Sequence, residues 1–257
     1  MFPKTLSFIL LNIKQSDFYE IDGGANSRCN RRGGKGIGRA ICLALAREGA
    51  DIVIAARTEK DIRETARMVE KEGRKALPVS TDIRVEEDVE NMISEAVDAF
   101  GRIDILVNNA GGVAYRKYMV ETSTEEYDNI MDTNLKGMFF CTKYALPYLL
   151  KRGEGRIINI SSGAGKHGIP KLSIYSASKF AVIGFTESIA YEIGGGVRVY
   201  AVCPSSVDTD MYRSLHSDKP ALKPEDVSRK VLELCLPKNP LPSGSTVEVY
   251  RSPVRVV

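Results

Sequence analysis

Nothing in the sequence marks a membrane, secreted or metal-binding protein. No apolar run approaches the roughly 18 residues that a membrane-spanning helix needs. The apolar run 6–11 is followed by polar chain without a small-residue cleavage site. The five cysteines have no CxxC spacing, so we expect reduced thiols packed like small hydrophobic side chains, with no disulfide framework and no metal site. These absences predict a cytoplasmic protein.

An excess of charge of one sign is also missing. The chain has 36 Lys and Arg against 33 Asp and Glu, a net charge of +3. Residues 1–32 hold five Lys and Arg and three Asp and Glu, so +2 of that charge lies there and +1 in the remainder. This balance provides no basic patch for nucleic acid, and we expect neither nucleic acid nor a membrane as a partner.

The remaining composition is that of a globular protein of 257 residues, 43% of them hydrophobic and 27% charged. No repeat, low-complexity tract or linker divides the chain, so the length fits one domain. From residue 51, short β-branched runs alternate with segments of helical period, which is typical of a parallel sheet with crossover helices. We predict an α/β fold: a Rossmann-like, doubly wound parallel sheet with helices on both faces.

The bounds of these elements follow from the same pattern. The predicted strands are 51–56, 76–80, 103–107, 156–160, 197–202 and 246–250. The predicted helices are 60–72, 85–100, 128–151, 174–193 and 224–234. In such a sheet the ligand crevice lies at the carboxyl ends of the strands.

A glycine-rich turn, GGKGIG, occupies residues 33–38 and leads into an apolar helical pattern. Lys35, Gly36, Ile37 and Gly38 would bring backbone N–H groups and a helix N-terminus against a pyrophosphate. Alone this is weak evidence, because glycine-rich loops without a ligand are common. Arg57 follows the strand 51–56 at the place where an acidic residue would favour NAD, so it suits the 2′-phosphate of NADP unless it is a solvated surface charge.

Polar clusters follow two further predicted strands. Residues 108–111 read NNAG after one strand, and Ser161 and Ser162 follow another, so both clusters are expected at the crevice. Tyr175 and Lys179 are four apart in a helical segment and share a face. This spacing alone occurs in many exposed helices, but a serine 13 residues before the tyrosine in the same α/β frame is much rarer.

From residue 33 to about 250 the chain resembles the short-chain dehydrogenase/reductase family, in its single-domain, NADP-preferring branch, which includes 3-oxoacyl-[acyl-carrier-protein] reductases. The resemblance rests on GGKGIG, Asp82-Ile83, NNAG, Asn134 in DTNLKG, Ser162, YSASK at 175–179, and Pro204 with Thr209 in CPSSVDTDM. It implies an NADP(H)-dependent oxidoreductase that transfers a hydride between the nicotinamide and a carbonyl or secondary alcohol. It also implies a homotetramer.

The resemblance assigns roles residue by residue. It makes Tyr175 the general acid/base, Lys179 its activator and a ribose ligand, Ser162 the anchor of the substrate oxygen, and Asn134 a helix-kinking residue of a proton relay. Chemistry agrees, since a tyrosine near pKa 10 needs a neighbouring cation to act near neutral pH. The cofactor-binding residues it implies are Lys35, Gly36, Ile37, Gly38, Arg57, Asp82, Ile83, Asn108, Ala110, Gly111, Tyr175, Lys179, Pro204, Val207 and Thr209.

The N-terminal segment departs from the family. Arg31 and Arg32 stand where the motif has Thr-Gly, and 22–32 contain no β-branched run for the first strand. The codons of Cys-Asn-Arg, shifted by one nucleotide, can read Val-Thr-Gly. We therefore hypothesise that 1–32 is an atypical segment read out of frame, with the first strand missing or corrupted, and that 33–257 is one dinucleotide-binding and catalytic domain.

The substrate is the least readable feature. Ser205 replaces the usual glycine after Pro204, and the loop after Met211 is short. His167 and His216 lie in segments expected to border the substrate, although loop histidines are usually just solvated. Two interpretations stay open: a carbonyl reductase or alcohol dehydrogenase, and a dinucleotide-binding protein without turnover or an inactive product of the damaged N-terminus.

Overall fold

A computed structural model describes residues 36–112 and 115–250 in full and residues 8–12 as backbone. Arg31, Arg32 and Lys35, which carry the argument about the glycine-rich turn, lie outside the described residues. The described strands form one seven-stranded sheet in the order β3-β2-β1-β4-β5-β6-β7. They are β1 (Phe8–Asn12), β2 (Asp51–Ala56), β3 (Ala76–Ser80), β4 (Ile105–Asn108), β5 (Glu154–Ile160), β6 (Gly196–Pro204) and β7 (Thr246–Val249).

Helices cover both faces of the sheet, which confirms the doubly wound α/β prediction. The described helices are α1 (Gly36–Arg47), α2 (Glu59–Lys71), α3 (Glu86–Phe100), α4 (Thr124–Met131), α5 (Gly137–Arg152), α6 (Ser173–Glu192), α7 (Asp210–Leu215) and α8 (Pro224–Cys235). One apolar core joins the sheet to α1, α2 and α8, and a second joins it to α3, α5 and the end of α6.

The apolar strands supply both cores because alternate side chains point to opposite faces. In β2, Ile52 and Ile54 enter the first core, whereas Val53 and Ala55 enter the second. All four are at most 1% exposed. Burial on both faces explains why the strands read as continuous apolar runs rather than as alternating ones.

The long helix predicted over 128–151 was wrong. α4 ends at Met131, a π-helical segment occupies Asp132–Lys136, and α5 begins at Gly137. The segment contains Asn134, whose side chain bonds backbone outside the helix, at Gly112. Single π-helical turns inside α-helices occur frequently at functional sites.

The strand β1 lies inside the sheet, between β2 and β4, but runs opposite to the other six. Phe8 pairs with Ala55 and with Asn108, and Asn12 pairs with Asp51. The chain therefore leaves β1 at the edge opposite the carboxyl ends of β2 and β4, and 23 residues separate Asn12 from the start of α1. A strand that leads directly into the glycine-rich turn would have to run the other way.

Within 8–12, 36–112 and 115–250, no helix is long and apolar enough to span a membrane. The same residues contain no group of three His, Cys, Asp or Glu placed to hold a metal ion.

Candidate active site

Two buried side chains of α6 form the centre of the site. Tyr175 is 8% exposed and Lys179 is 3% exposed, one helical turn apart. Burial raises the pKa of the Tyr175 phenol, so the hydroxyl keeps its proton at neutral pH. Burial also lowers the pKa of Lys179 to about 8. The Lys179 Nζ lies 5.8 Å from the centre of the Tyr175 ring.

Lys179 is held between β5 and the loop after β4. Its Nζ donates a hydrogen bond to the carbonyl of Ile160, the last residue of β5, at 3.0 Å. Its own carbonyl accepts from the Ser161 hydroxyl at 2.8 Å. A Cβ on Gly111 would lie 2.7 Å from the Lys179 Nζ, so a larger residue there would displace the end of the lysine side chain.

Ser162 brings a second hydroxyl to the site. It lies just after β5, at the start of a 3₁₀ turn, and its Oγ accepts from the backbone N–H of Ala164 at 3.2 Å. Its hydrogen-bonding interaction with Tyr175 opposes the effect of burial and lowers the pKa of the phenol. The serine and tyrosine separated by 13 residues in the chain are therefore neighbours in space.

Asn134 is connected to the backbone around Tyr175 rather than to the cleft. Its Nδ2 donates to the Ser178 hydroxyl at 2.9 Å, and that hydroxyl donates to the Tyr175 carbonyl at 2.7 Å. Its Oδ1 accepts from the N–H of Gly112 at 2.8 Å. Asn134 thus links the π-helical segment, the loop after β4 and the first turns of α6.

These elements border a cleft of about 390 Å³ at the carboxyl ends of the strands. Many of the residues singled out from the sequence line this cleft. They are Gly36, Ile37, Gly38, Gly111, Ser162, His167, Tyr175, Lys179, Pro204, Ser205, Val207, Thr209, Met211 and His216.

Asn108 has a different environment. Its amide donates to Asn159 at 2.8 Å and to Thr142 at 3.2 Å, within a buried polar network. Its neighbour Asn109 lines the cleft instead. Adjacent residues at the end of a strand face opposite sides, which explains why Asn109 lines the cleft and Asn108 does not.

Four of the residues expected to bind the cofactor do not line this cleft, namely Arg57, Asp82, Ile83 and Ala110. The Arg84 guanidinium donates hydrogen bonds to both oxygens of the Asp82 carboxylate and holds its pKa below the ordinary value, and Arg57 adds a weaker contribution of the same sign. Arg57 is exposed directly after β2. Ile83 is buried against Gly137, where a Cβ would come within 2.4 Å of the isoleucine side chain. Ala110, also expected to contact the cofactor, is 9% exposed.

Sequence reasoning missed the apolar wall of the cleft. Ile169, Leu172 and Leu215 line it, together with Met211, and they pack in one cluster with Tyr175 and Ala164. Leu215 and Met211 belong to α7, a helix of six residues. An element this short has too few turns to give a readable apolar period.

Comparisons with known proteins agree with this geometry. The pattern of the short chain dehydrogenase family matches residues 33–220. An uncharacterized oxidoreductase of Thermotoga maritima is 38% identical over 199 residues, which cover 77% of each chain. A 3-oxoacyl-[acyl-carrier-protein] reductase of Synechocystis sp. is 38% identical over 186 residues, which cover 72% of this chain and 75% of that protein.

Solved structures also resemble this one. A single-residue variant of actinorhodin polyketide ketoreductase with NADPH superposes with a TM-score of 0.79 at 31% identity, covering 84% of this chain and 92% of that one. A 3-ketoacyl-ACP reductase from Sinorhizobium meliloti superposes with a TM-score of 0.77 at 28% identity, covering 84% and 93%. With the match over residues 33–220, these likenesses establish that the chain belongs to the short-chain dehydrogenase family of oxidoreductases.

Proposed function

We propose that the chain is an NADP(H)-dependent carbonyl reductase or alcohol dehydrogenase with Tyr175 as its general acid/base. The observation that carries this proposal is the convergence of Ser162, Tyr175 and Lys179 on one cleft, with Tyr175 and Lys179 almost fully buried. A buried phenol that keeps its proton at neutral pH is suited to donate it to a carbonyl oxygen.

The described residues fit a nicotinamide dinucleotide. Gly36 opens α1 with a φ of +77° and free space where a Cβ would stand, so backbone can approach a phosphate group there. Lys179 uses one of its three N–H groups on Ile160, which leaves donors for a ribose hydroxyl. We place Gly36, Ile37 and Gly38 at the pyrophosphate, and Pro204, Val207 and Thr209 at the nicotinamide.

The preference for NADP over NAD rests on Arg57. An exposed guanidinium at the end of β2 can bind the 2′-phosphate through charge-assisted hydrogen bonds. Support also comes from the ketoreductase structure described with NADPH, although that observation belongs to a relative.

In the reduction, the chain's own residues bind and polarise the carbonyl. The hydroxyls of Ser162 and Tyr175 donate to its oxygen as negative charge develops. NADPH, when bound, supplies the hydride that the carbonyl carbon gains, and it leaves as NADP⁺. Tyr175 gives its proton to the oxygen, the Lys179 ammonium stabilises the resulting phenolate, and solvent restores the proton. Asn134 holds α6 in register through Ser178 and the Tyr175 carbonyl.

The test of this function begins with binding, because it needs no knowledge of the substrate. NADPH and NADH are titrated into the chain and followed by the fluorescence of the reduced nicotinamide. Turnover is then measured by NADPH consumption with a panel of ketones. Binding of NADPH without consumption by any ketone contradicts the enzymatic proposal.

A second candidate is a dinucleotide-binding protein without turnover, or a chain inactivated by its N-terminal segment. The reversed direction of β1 favours it, because this strand does not run toward the carboxyl ends of β2 and β4, where a glycine-rich turn would bind a phosphate. The hypothesis that residues 1–32 are read out of frame is tested by resequencing the DNA. An error-free reading frame, with a peptide spanning Cys29 to Arg32 in the expressed protein, rejects it.

We also propose a cytoplasmic homotetramer that acts on a small carbonyl compound or alcohol. Exposed aromatic side chains on α5 and α6 support the subunit contacts, with Phe139 and Phe180 44% and 46% exposed. Light scattering at micromolar concentration measures the assembly, and a monomer under those conditions contradicts it.

A further inference from the structure

The reacting end of the cleft is set in an apolar wall. Ile169, Leu172, Met211 and Leu215 line the cleft and pack in the same cluster as Tyr175. A substrate whose carbonyl reaches the Ser162 and Tyr175 hydroxyls therefore places its adjoining carbon atoms against these four side chains. Apolar area removed from water contributes roughly 25 cal/mol per Å² to binding.

The polar side chains beside this wall are engaged with one another. The Tyr212 hydroxyl donates to Asp218 at 2.9 Å, and the Tyr212 ring stacks on His216 with centroids 4.3 Å apart and planes 4° apart. The His216 Nδ1 lies 3.3 Å from an Arg116 nitrogen and 3.6 Å from the Asp218 carboxylate. Arg116 also donates to the Pro170 carbonyl at 3.4 Å. A ligand that used these groups would first have to break their present bonds.

The charges that line the cleft disfavour an anionic substrate. Among the described lining residues, the ionised side chains apart from histidine are Lys179, which belongs to the reacting centre, and Asp218. The Arg116 guanidinium contacts His216 from outside the lining. A carboxylate or phosphate at the far end of a substrate would thus approach the like charge of Asp218, and outside the reacting centre the described lining offers it no lysine or arginine.

The cleft has the size of a small-molecule site. About 390 Å³ lies within the range of roughly 300–1,000 Å³ typical of such sites. Part of that space borders Pro204, Val207 and Thr209, the residues proposed for the nicotinamide.

We propose that the substrate of this chain is an uncharged ketone, or the corresponding secondary alcohol, whose apolar skeleton lies against Ile169, Leu172, Met211 and Leu215. This rests on the proposed function, since it names the substrate class of the same site. In the forward reaction the ketone carbon gains a hydride and the oxygen a proton, while NADPH is oxidised to NADP⁺.

The test compares 2-octanone with 7-oxooctanoate, which has the same methyl ketone and chain length but ends in a carboxylate. Isothermal titration calorimetry measures both affinities, with and without NADP⁺. We expect 2-octanone to bind at least about tenfold more tightly. Equal affinities, tighter binding of 7-oxooctanoate, or binding of neither compound overturns the proposal.

Two variants of Leu215 test whether the apolar wall causes the preference for 2-octanone. Leu215→Ala should weaken 2-octanone binding about three- to tenfold by removing apolar contact. Leu241→Ala is the matched control, because Leu241 is 36% exposed and does not line the cleft. Leu215→Lys should shift the preference toward 7-oxooctanoate by supplying the missing cation. If neither Leu215 variant differs from the control, the ligand lies elsewhere and the proposal is wrong.

Turnover separates this inference from the proposed function. Preferential binding of 2-octanone without NADPH consumption would refute the reductase proposal and leave the assignment of the apolar wall standing. Faster reduction of 7-oxooctanoate than of 2-octanone would refute the inference and leave the reductase proposal standing.

Discussion

The two ends of the cleft are built in different ways. At the Tyr175 end, the site side chains are fixed by short hydrogen bonds to β5, to the loop after β4 and to the π-helical segment. At the Gly36 end, β1, the described strand that precedes α1 in the chain, runs opposite to β2 and β4. The positions of Ser162, Tyr175 and Lys179 depend on β5 and α6, so they do not depend on the direction of β1.

The largest effect is expected from removing the proposed proton donor at the Tyr175 end of the cleft. Tyr175→Phe keeps the ring but deletes the hydroxyl, so NADPH affinity and the fold should persist. We expect the hydride-transfer rate to fall about 10² to 10⁴-fold, the usual contribution of a general acid. Single-turnover kinetics with NADPH and a reducible ketone make the measurement.

Tyr191→Phe provides the control for that variant, because Tyr191 is 92% exposed on the same helix. If Tyr175→Phe reduced ketones at the rate of the control, Ser162 or water would have to supply the proton. If the parent chain does not bind NADPH, both variants are compared in a chain that also carries Arg31→Thr and Arg32→Gly, the substitutions described below.

The second prediction concerns the burial of Lys179, whose pKa is about 8 in the folded chain against 10.5 for the ordinary side chain. The folded state therefore releases the proton first, and the Lys179 contribution to the free energy of unfolding rises with pH between about 8 and 10.5. Relative to Lys179→Met, the wild type should gain about 2–3 kcal/mol from pH 8 to pH 10.

Urea unfolding of both proteins at several pH values measures this difference. The comparison cancels the titration of other buried groups, including Cys42, whose pKa is raised by burial to about 12. In Lys179→Met the Ile160 carbonyl loses its hydrogen bond from the lysine. That loss shifts the difference in stability by a constant amount and does not alter its change with pH. A difference that does not change with pH would contradict the burial of a charged lysine.

The third prediction concerns the Gly36 end of the cleft. Replacing two residues, Arg31→Thr and Arg32→Gly, restores the residue types that the family motif has there. We expect NADPH to bind about tenfold more tightly, on the scale of one or two recovered hydrogen bonds. Fluorescence titration gives the Kd, with Arg28→Thr as a control that removes a nearby positive charge outside the motif. An unchanged Kd would assign the defect to the reversed direction of β1 rather than to the two arginines.

The smallest expected effect concerns cofactor choice. Arg57→Asp replaces the cation proposed for the 2′-phosphate by a repelling charge, so the ratio of NADPH to NADH affinity should fall about tenfold. Arg67→Asp, at an exposed position of α2, controls for the change in net charge. If the two variants give the same ratio, Arg57 does not contact the phosphate.

Several features were predictable because they depend on local patterns. The bounds of β2 and β3 match the β-branched runs that predicted them, and Tyr175 and Lys179 share the face expected from their spacing. The break in the helix at Asn134 was not predictable from the hydrophobic period of the sequence. It depends on hydrogen bonds with Gly112 and Ser178, which are far away in the chain. The strand Phe8–Asn12, which lies between β2 and β4, was missed for a related reason, because its partners are about 40 to 100 residues away.

The position of β1 also bears on the order of folding. This strand comes first in the chain, yet it pairs with β2 on one side and with β4 on the other, where Phe8 meets Asn108. Pairings between residues so distant in sequence require large loops to close, and proteins rich in such contacts fold slowly. A nascent chain emerging from the ribosome can complete the middle of its sheet only after β4 has been made. Until then the edge of β1 that later pairs with β4 remains open to pairing with other chains.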